Sequence, residues 1–190
     1  MRYLAIVGIA VWMIFTPELF AATFVAAELG LGAEADAGGG RVEDDDSVIQ
    51  DASLQPLSVS VEAIATFNGG ESRATGSGTA TWVDASRGSF EFTGLGFEIT
   101  NGGLGSMARV DQGVGWSYTF QATEDGTFEL AYDTSLADGT TSSFGLDFAF
   151  FFNGGVFIEL PIPGTGVLSQ PILAGETYTA RLRAGGNIFP

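Results

Sequence analysis

Between residues 114 and 133 the chain alternates with a period of two. Val114, Trp116, Tyr118 and Phe120 are interleaved with Gly115, Ser117, Thr119 and Gln121, and after Glu124-Asp125-Gly126 the pattern resumes with Phe128, Leu130 and Tyr132. Successive side chains of a strand point to opposite faces, so these residues make a hairpin with one apolar side and one wet side. Wound as a helix they would present no apolar stripe. The apolar side needs a second layer to cover it, which commits the chain to stacked sheets.

The same alternation recurs. Leu57, Val59, Val61, Ala63, Ala65 and Phe67 form one half-buried strand, and Tyr178, Ala180 and Leu182 alternate with Thr177, Thr179, Arg181 and Arg183 in another. Asn68-Gly69-Gly70, Asn101-Gly102-Gly103 and Asn153-Gly154-Gly155 stand between strand-like runs, where Asn and Gly supply the positive φ of tight turns. Across Gly94 the apolar residues move from even positions (Phe90, Phe92) to odd ones (Leu95, Phe97, Ile99), which predicts a β-bulge there. Phe144, Leu146, Phe148, Phe150 and Phe152 alternate again, while Phe151 and Phe157 add apolar weight to the opposite face and suggest a hairpin covered on both sides. Segments 57–67, 73–83, 89–99, 105–110, 114–122, 127–133, 143–152, 156–160, 167–173 and 177–184 give about ten strands and no helix in this part. The expected fold is an all-β, antiparallel β-sandwich, jelly-roll-like, spanning residues 56–190.

Two segments precede that domain. Arg2, the apolar run Leu4 to Phe15 and the small residues Val25, Ala26 and Ala27 read as a signal peptide over residues 1–27, with a run too short for a membrane span. Residues 28–55 set eight carboxylates against Arg41 alone and contain no aromatic residue, so composition predicts an acidic disordered linker. Within it Glu43-Asp44-Asp45-Asp46 lacks the spacing of a calcium loop and reads as a solvated charge run.

Missing residue types narrow the chemistry. The 190 residues include no His, no Cys and no Lys. Imidazole bases, thiolate nucleophiles, disulfides, sulfur-bound metals, Schiff bases and the P-loop lysine are therefore all excluded. A formal net charge of −16 disfavours nucleic acid and anionic lipid as partners.

Several constellations remain. Gly103-Leu104-Gly105-Ser106-Met107-Ala108 has dinucleotide-site spacing, but that motif works through a helix N-terminus and here strand-like sequence follows. Glu91, Glu98, Glu129, Asp133 and Asp147 are carboxylates by type alone, and a glycosidase pair would need two of them about 5 to 5.5 Å apart. Arg181 and Arg183 share one face about 7 Å apart at strand rise and could fork onto a sulfate, a uronate or facing carboxylates. The loop Asp133 to Thr140, with Asp133 and Asp138 as ligands, offers oxygen atoms to Ca²⁺. Trp82 is the tryptophan best placed to stack on a sugar ring, since Trp116 shares the apolar face of Val114 and Phe120. The candidate ligand-binding residues are thus Trp82, Arg181 and Arg183, the candidate metal ligands Asp133 and Asp138, and no catalytic residue is assigned.

The succession Trp116-Ser117-Tyr118-Thr119-Phe120, Asp125-Gly126-Thr127-Phe128-Glu129-Leu130 and Ala174 to Leu182 resembles secreted bacterial β-sandwich proteins of the PEP-CTERM type. The chain departs from that pattern in its last residues, Gly186 to Pro190, which carry no Pro-Glu-Pro sorting tail. The resemblance implies the sandwich fold and a bacterial extracellular or cell-surface location, and no site residues. The expectation is a secreted non-enzymatic protein of the extracellular matrix, surface or adhesion kind, with a polysaccharide or an extracellular protein as partner. Alternatives are a carbohydrate-binding module and a carboxylate-based glycoside hydrolase. No cofactor other than Ca²⁺ is anticipated.

Overall fold

The computed structural model describes residues 2–13, 22–51, 53–100, 106–136, 144–153, 155–161 and 163–188. These residues form twelve strands. They are β1 (Arg2–Met13), β2 (Ala22–Ala37), β3 (Gly40–Asp51), β4 (Leu57–Phe67), β5 (Gly70–Asp84) and β6 (Arg87–Thr100), followed by β7 (Met107–Ala122), β8 (Gly126–Leu136), β9 (Phe144–Phe152), β10 (Val156–Glu159), β11 (Gly164–Ile172) and β12 (Thr177–Ile188). One antiparallel sheet, A, has the order β11-β8-β1-β6-β5-β4, and the other, B, has β10-β9-β12-β7-β2-β3. The all-β sandwich is as the alternation demands. Within sheet A, β4, β5 and β6 follow one another as a meander, and the strand order does not establish the jelly-roll connectivity expected from the sequence.

Aromatic rings from both sheets hold the layers together. Trp116, Tyr118 and Phe120 of β7 point inward from sheet B and are fully buried. They meet Phe90 of β6 at 5.5 Å, Trp82 of β5 at 6.3 Å and Phe128 of β8 at 5.7 Å between ring centroids. Phe128 continues onto Phe150 and Phe152 of β9, at 6.1 and 5.1 Å. Stacked and tilted rings at such distances contribute about 0.5–1.5 kcal/mol per pair beyond their buried area, so this column joins the sheets from within.

The bulge expected at Gly94 is present on both flanks of β6. Against β1 the register jumps from Val7↔Leu95 to Ile9↔Phe92, and against β5 from Thr75↔Gly96 to Ser77↔Thr93. The jump keeps Phe90 and Phe92 on the buried face together with Leu95, Phe97 and Ile99. Asn68 and Asn153 both take positive φ, 50° and 48°, in their turns. The third turn, at 101–103, lies outside the described residues, as do residues 103–105 of the dinucleotide-like spacing at 103–108.

The segment expected to be disordered is instead a hairpin. β2 and β3 pair from Ala26↔Asp51 to Ala37↔Gly40, and Leu29, Leu31, Ala33, Ala35 and Ala37 are buried. The acidic composition is an average over two faces, and one of them is apolar enough to pack on sheet A. The carboxylates of β3 are also used. Asp46 Oδ2 accepts the Ser60 N–H at 2.9 Å and Asp44 Oδ2 accepts the Glu62 N–H at 2.8 Å, both on β4, the edge strand of the opposite sheet. Strand edges leave such N–H groups unpaired; here the acidic run satisfies two of them and ties the sheets along one side.

The apolar run that reads as a signal segment occupies β1. It pairs with β6 from Arg2↔Thr100 to Met13↔Gly88 and with β8 from Val7↔Leu136 to Trp12↔Ala131. An uninterrupted apolar stretch suits a strand in the middle of a sheet as well as it suits a secretion signal.

Candidate binding face

The residues singled out by the sequence do not share a surface. Trp82 lies on the inward side of β5, half-buried and packed against the core, with its ring stacked on Tyr118 and its Nε1–H enclosed without an acceptor among the described residues. Arg181 and Arg183 are exposed on the outer face of β12, in the other sheet. Asp133 is exposed on β8, on the outer face of sheet A, and Asp138 lies outside the described residues. Among the described residues no group of three or more carboxylates gathers as a metal centre would require, and no helix is long and apolar enough to cross a membrane.

The acids are likewise spread over a sheet face. Asp133 is in register with Ala10 of β1, and Ala10 with Glu91 of β6, so one strand separates the two acids and places them about 9–10 Å apart on the outer side of sheet A. Glu98 accepts the Thr100 hydroxyl at 3.1 Å, and Glu62, on the same face, is paired with Arg73. The side chain of Asp147 lies outside the described residues.

The β5–β6 turn is built more tightly. Asp84 closes the β5–β6 hairpin: its Oδ1 accepts from the backbone N–H and the hydroxyl of Ser86 at 2.8 and 2.7 Å, and its Oδ2 accepts from Nε and Nη2 of Arg87 at 2.9 and 2.6 Å. Burial by itself would raise the Asp84 pKa, but the bonds from Arg87 and Ser86 outweigh it and hold the carboxyl at about 2, below its ordinary 3.8. Tyr118 donates its hydroxyl to Ala85 O in the same turn at 2.5 Å. Desolvation first, then the Asp84 charge, pushes that phenol well above its usual range, so it remains a donor. The Asp-x-Ser-Arg spacing carries this turn in the sequence. It is structural, anchoring one end of the sandwich to β7.

The outer face of sheet B groups residues of a different kind. Register places Phe157 of β10 beside Phe151 of β9, Phe151 beside Arg181 of β12, Arg181 beside Ser117 of β7, and Ser117 beside Glu28 of β2. Neighbouring strands lie about 4.8 Å apart, so the five side chains form one row across the sheet. The rings of Phe157 and Phe151 meet at 5.1 Å, and Phe157 is 56% exposed, so the hairpin expected to be covered on both sides is open on this one. One row along the strands stand Asn153, Thr179 and Thr119. Asn153 Oδ1 accepts the Thr179 N–H at 2.8 Å, and the two threonine hydroxyls are 3.0 Å apart. One row the other way stand Glu159, Ala149 and Arg183. The sequence signal was the doubled apolar weight at Phe151 and Phe157; what it lacked was the pairing that sets them beside Arg181.

Arg181 differs from the other arginines. Arg41 bridges Glu34 and Glu43, Arg73 pairs with Glu62, Arg87 with Asp84, and Arg109 and Arg183 also have partners. Among the arginines whose side chains are described, Arg181 is the one that has none, in a chain with 23 carboxylate side chains. Comparison with known protein families, curated proteins and solved structures finds no match.

Proposed function

We propose that the protein is an exported, non-enzymatic β-sandwich that acts as an extracellular matrix, surface or adhesion component and engages its target through the outer face of sheet B. The observation that carries this reading is the exposed Phe157 packed on the half-buried Phe151 next to the unpartnered Arg181, in a face that also holds Ser117, Thr119, Thr179 and Asn153 and the acids Glu28 and Glu159. An aromatic contact beside an arginine is the composition of a binding hot spot rather than of a solvated sheet. Export is supported by Arg2, the apolar run that follows it and the small residues at 25–27. The resemblance to PEP-CTERM-type sandwich proteins points the same way. Fractionation of producing cells tests it: the protein is expected in the medium or released from the cell surface by a mild wash, and retention in the cytoplasm would overturn the proposal.

A carbohydrate-binding module is the second reading, favoured by the same pair of rings, because flat aromatic faces stack on the C–H faces of sugars. A hydrolase has less behind it, since Glu91 and Asp133 flank β1 on an outer sheet face.

A further inference from the structure

We infer that the row Phe157, Phe151 and Arg181 on sheet B binds uronate units of an acidic polysaccharide. The inference rests on the reading of this face as the binding surface and names its ligand class. A carboxylate is the group that a guanidinium fork fits in one plane, with two parallel N–H···O bonds, and Arg181 has its donors uncommitted among acids that occupy most of the other arginines. The carboxylate of a uronate sits on a pyranose ring, and that ring needs an apolar surface one residue's breadth from the cation. Phe151 is the register neighbour of Arg181, and Phe157 extends the apolar surface by one more strand. Sugar hydroxyls then meet Asn153, Thr179 and Thr119 in the adjoining row. Arg183, two residues along the same face, adds positive potential against the next repeating acid of a polymer.

The protein's own charge supplies a further signature. With a net of −16 the chain repels a polyanion at long range, and added salt screens that repulsion over about 8–10 Å near physiological strength. Association through a local guanidinium–carboxylate contact should therefore persist between 50 and ~300 mM salt, whereas a diffuse cationic surface would lose it.

The exported protein is tested by affinity electrophoresis and titration calorimetry in EDTA against polygalacturonate, dextran sulfate and neutral dextran. Retardation by polygalacturonate alone is expected. Arg181→Gln should weaken it about tenfold or more, Arg181→Lys should restore it only in part, and Phe157→Ala should weaken it several-fold. Arg181 and Phe157 are exposed, and unchanged thermal unfolding would show that the fold is intact. Equal binding of polygalacturonate by Arg181→Gln overturns the inference, as does tighter binding of dextran sulfate. Binding of neutral dextran overturns the carboxylate class and leaves a carbohydrate-binding face. If no polymer binds while the protein still partitions to the cell surface, the uronate site falls and the adhesion reading stands. Cytoplasmic retention with intact uronate binding would have the opposite meaning.

Discussion

Gly115 holds φ at 63° between Val114 and Trp116, and a Cβ placed there would meet the carbonyl oxygen of Leu182 at 2.2 Å. The obstacle is backbone on the neighbouring strand, so no rotamer change relieves it. Gly115→Ala should destabilise by about 1–3 kcal/mol from the left-handed φ alone, with the clash added, read as a lowered midpoint of thermal or urea unfolding. Asp84 yields a pH-dependent prediction. Its pKa is depressed in the folded state, so its contribution is present above pH 4 and is lost as pH falls towards 2. The side chain is 42% exposed, and screening keeps the gain to about 1 kcal/mol or less. Unfolding of Asp84→Asn and of the parent, followed from pH 6 to pH 2, should differ at the upper end and converge at the lower. Neither residue stood out in the sequence, because a glycine facing a carbonyl and an aspartate closing a turn are defined by what lies across from them. Trp82 shows the converse. Its polar strand hid the fact that even positions of β5 face inward, which register alone reveals.

The bulged strand β6 was legible to the residue, because a phase change in the apolar pattern is a local signal that survives any choice of neighbours. Hairpin β2–β3 was not, since its acids and its apolar residues lie on different faces and average out in a count. What the acids do depends on β4, which belongs to the other sheet. Replacing Asp44 and Asp46 together with alanine removes acceptors from two edge N–H groups and should cost about 1 kcal/mol for each exposed bond. It also uncovers an eleven-residue edge strand with alternating polarity. The double variant should therefore self-associate by sedimentation velocity under conditions that leave the parent monodisperse, while Asp44→Asn with Asp46→Asn, which keeps an acceptor at each site, should not. A double alanine variant that sediments as the parent does would show that the carboxylates do not guard this edge.

Across the molecule, alternation dictates stacked sheets without reference to partner identities: wherever one face is greasy, a second layer must follow. The order of strands within each layer was not legible, since antiparallel pairing constrains which faces meet and says little about which strands are neighbours. The continuous ring column makes the layers interdependent. Phe128 touches Phe120, Phe150 and Phe152, so Phe128→Ala should cost about 3–5 kcal/mol and lower the unfolding midpoint of both sheets in one cooperative step. β1 sets a final condition on this assembly. Among the described residues it alone links the β8–β11 pair to the β4–β5–β6 meander within sheet A, so maturation at residues 25–27 and an unbroken sheet A are alternatives that one protein molecule cannot satisfy together. The intact mass of the protein recovered from producing cells reports which one it keeps. A chain trimmed near Glu28 would carry an open seam between Glu91 and Asp133, bringing those two acids onto facing rims of a gap where the full-length chain has a strand.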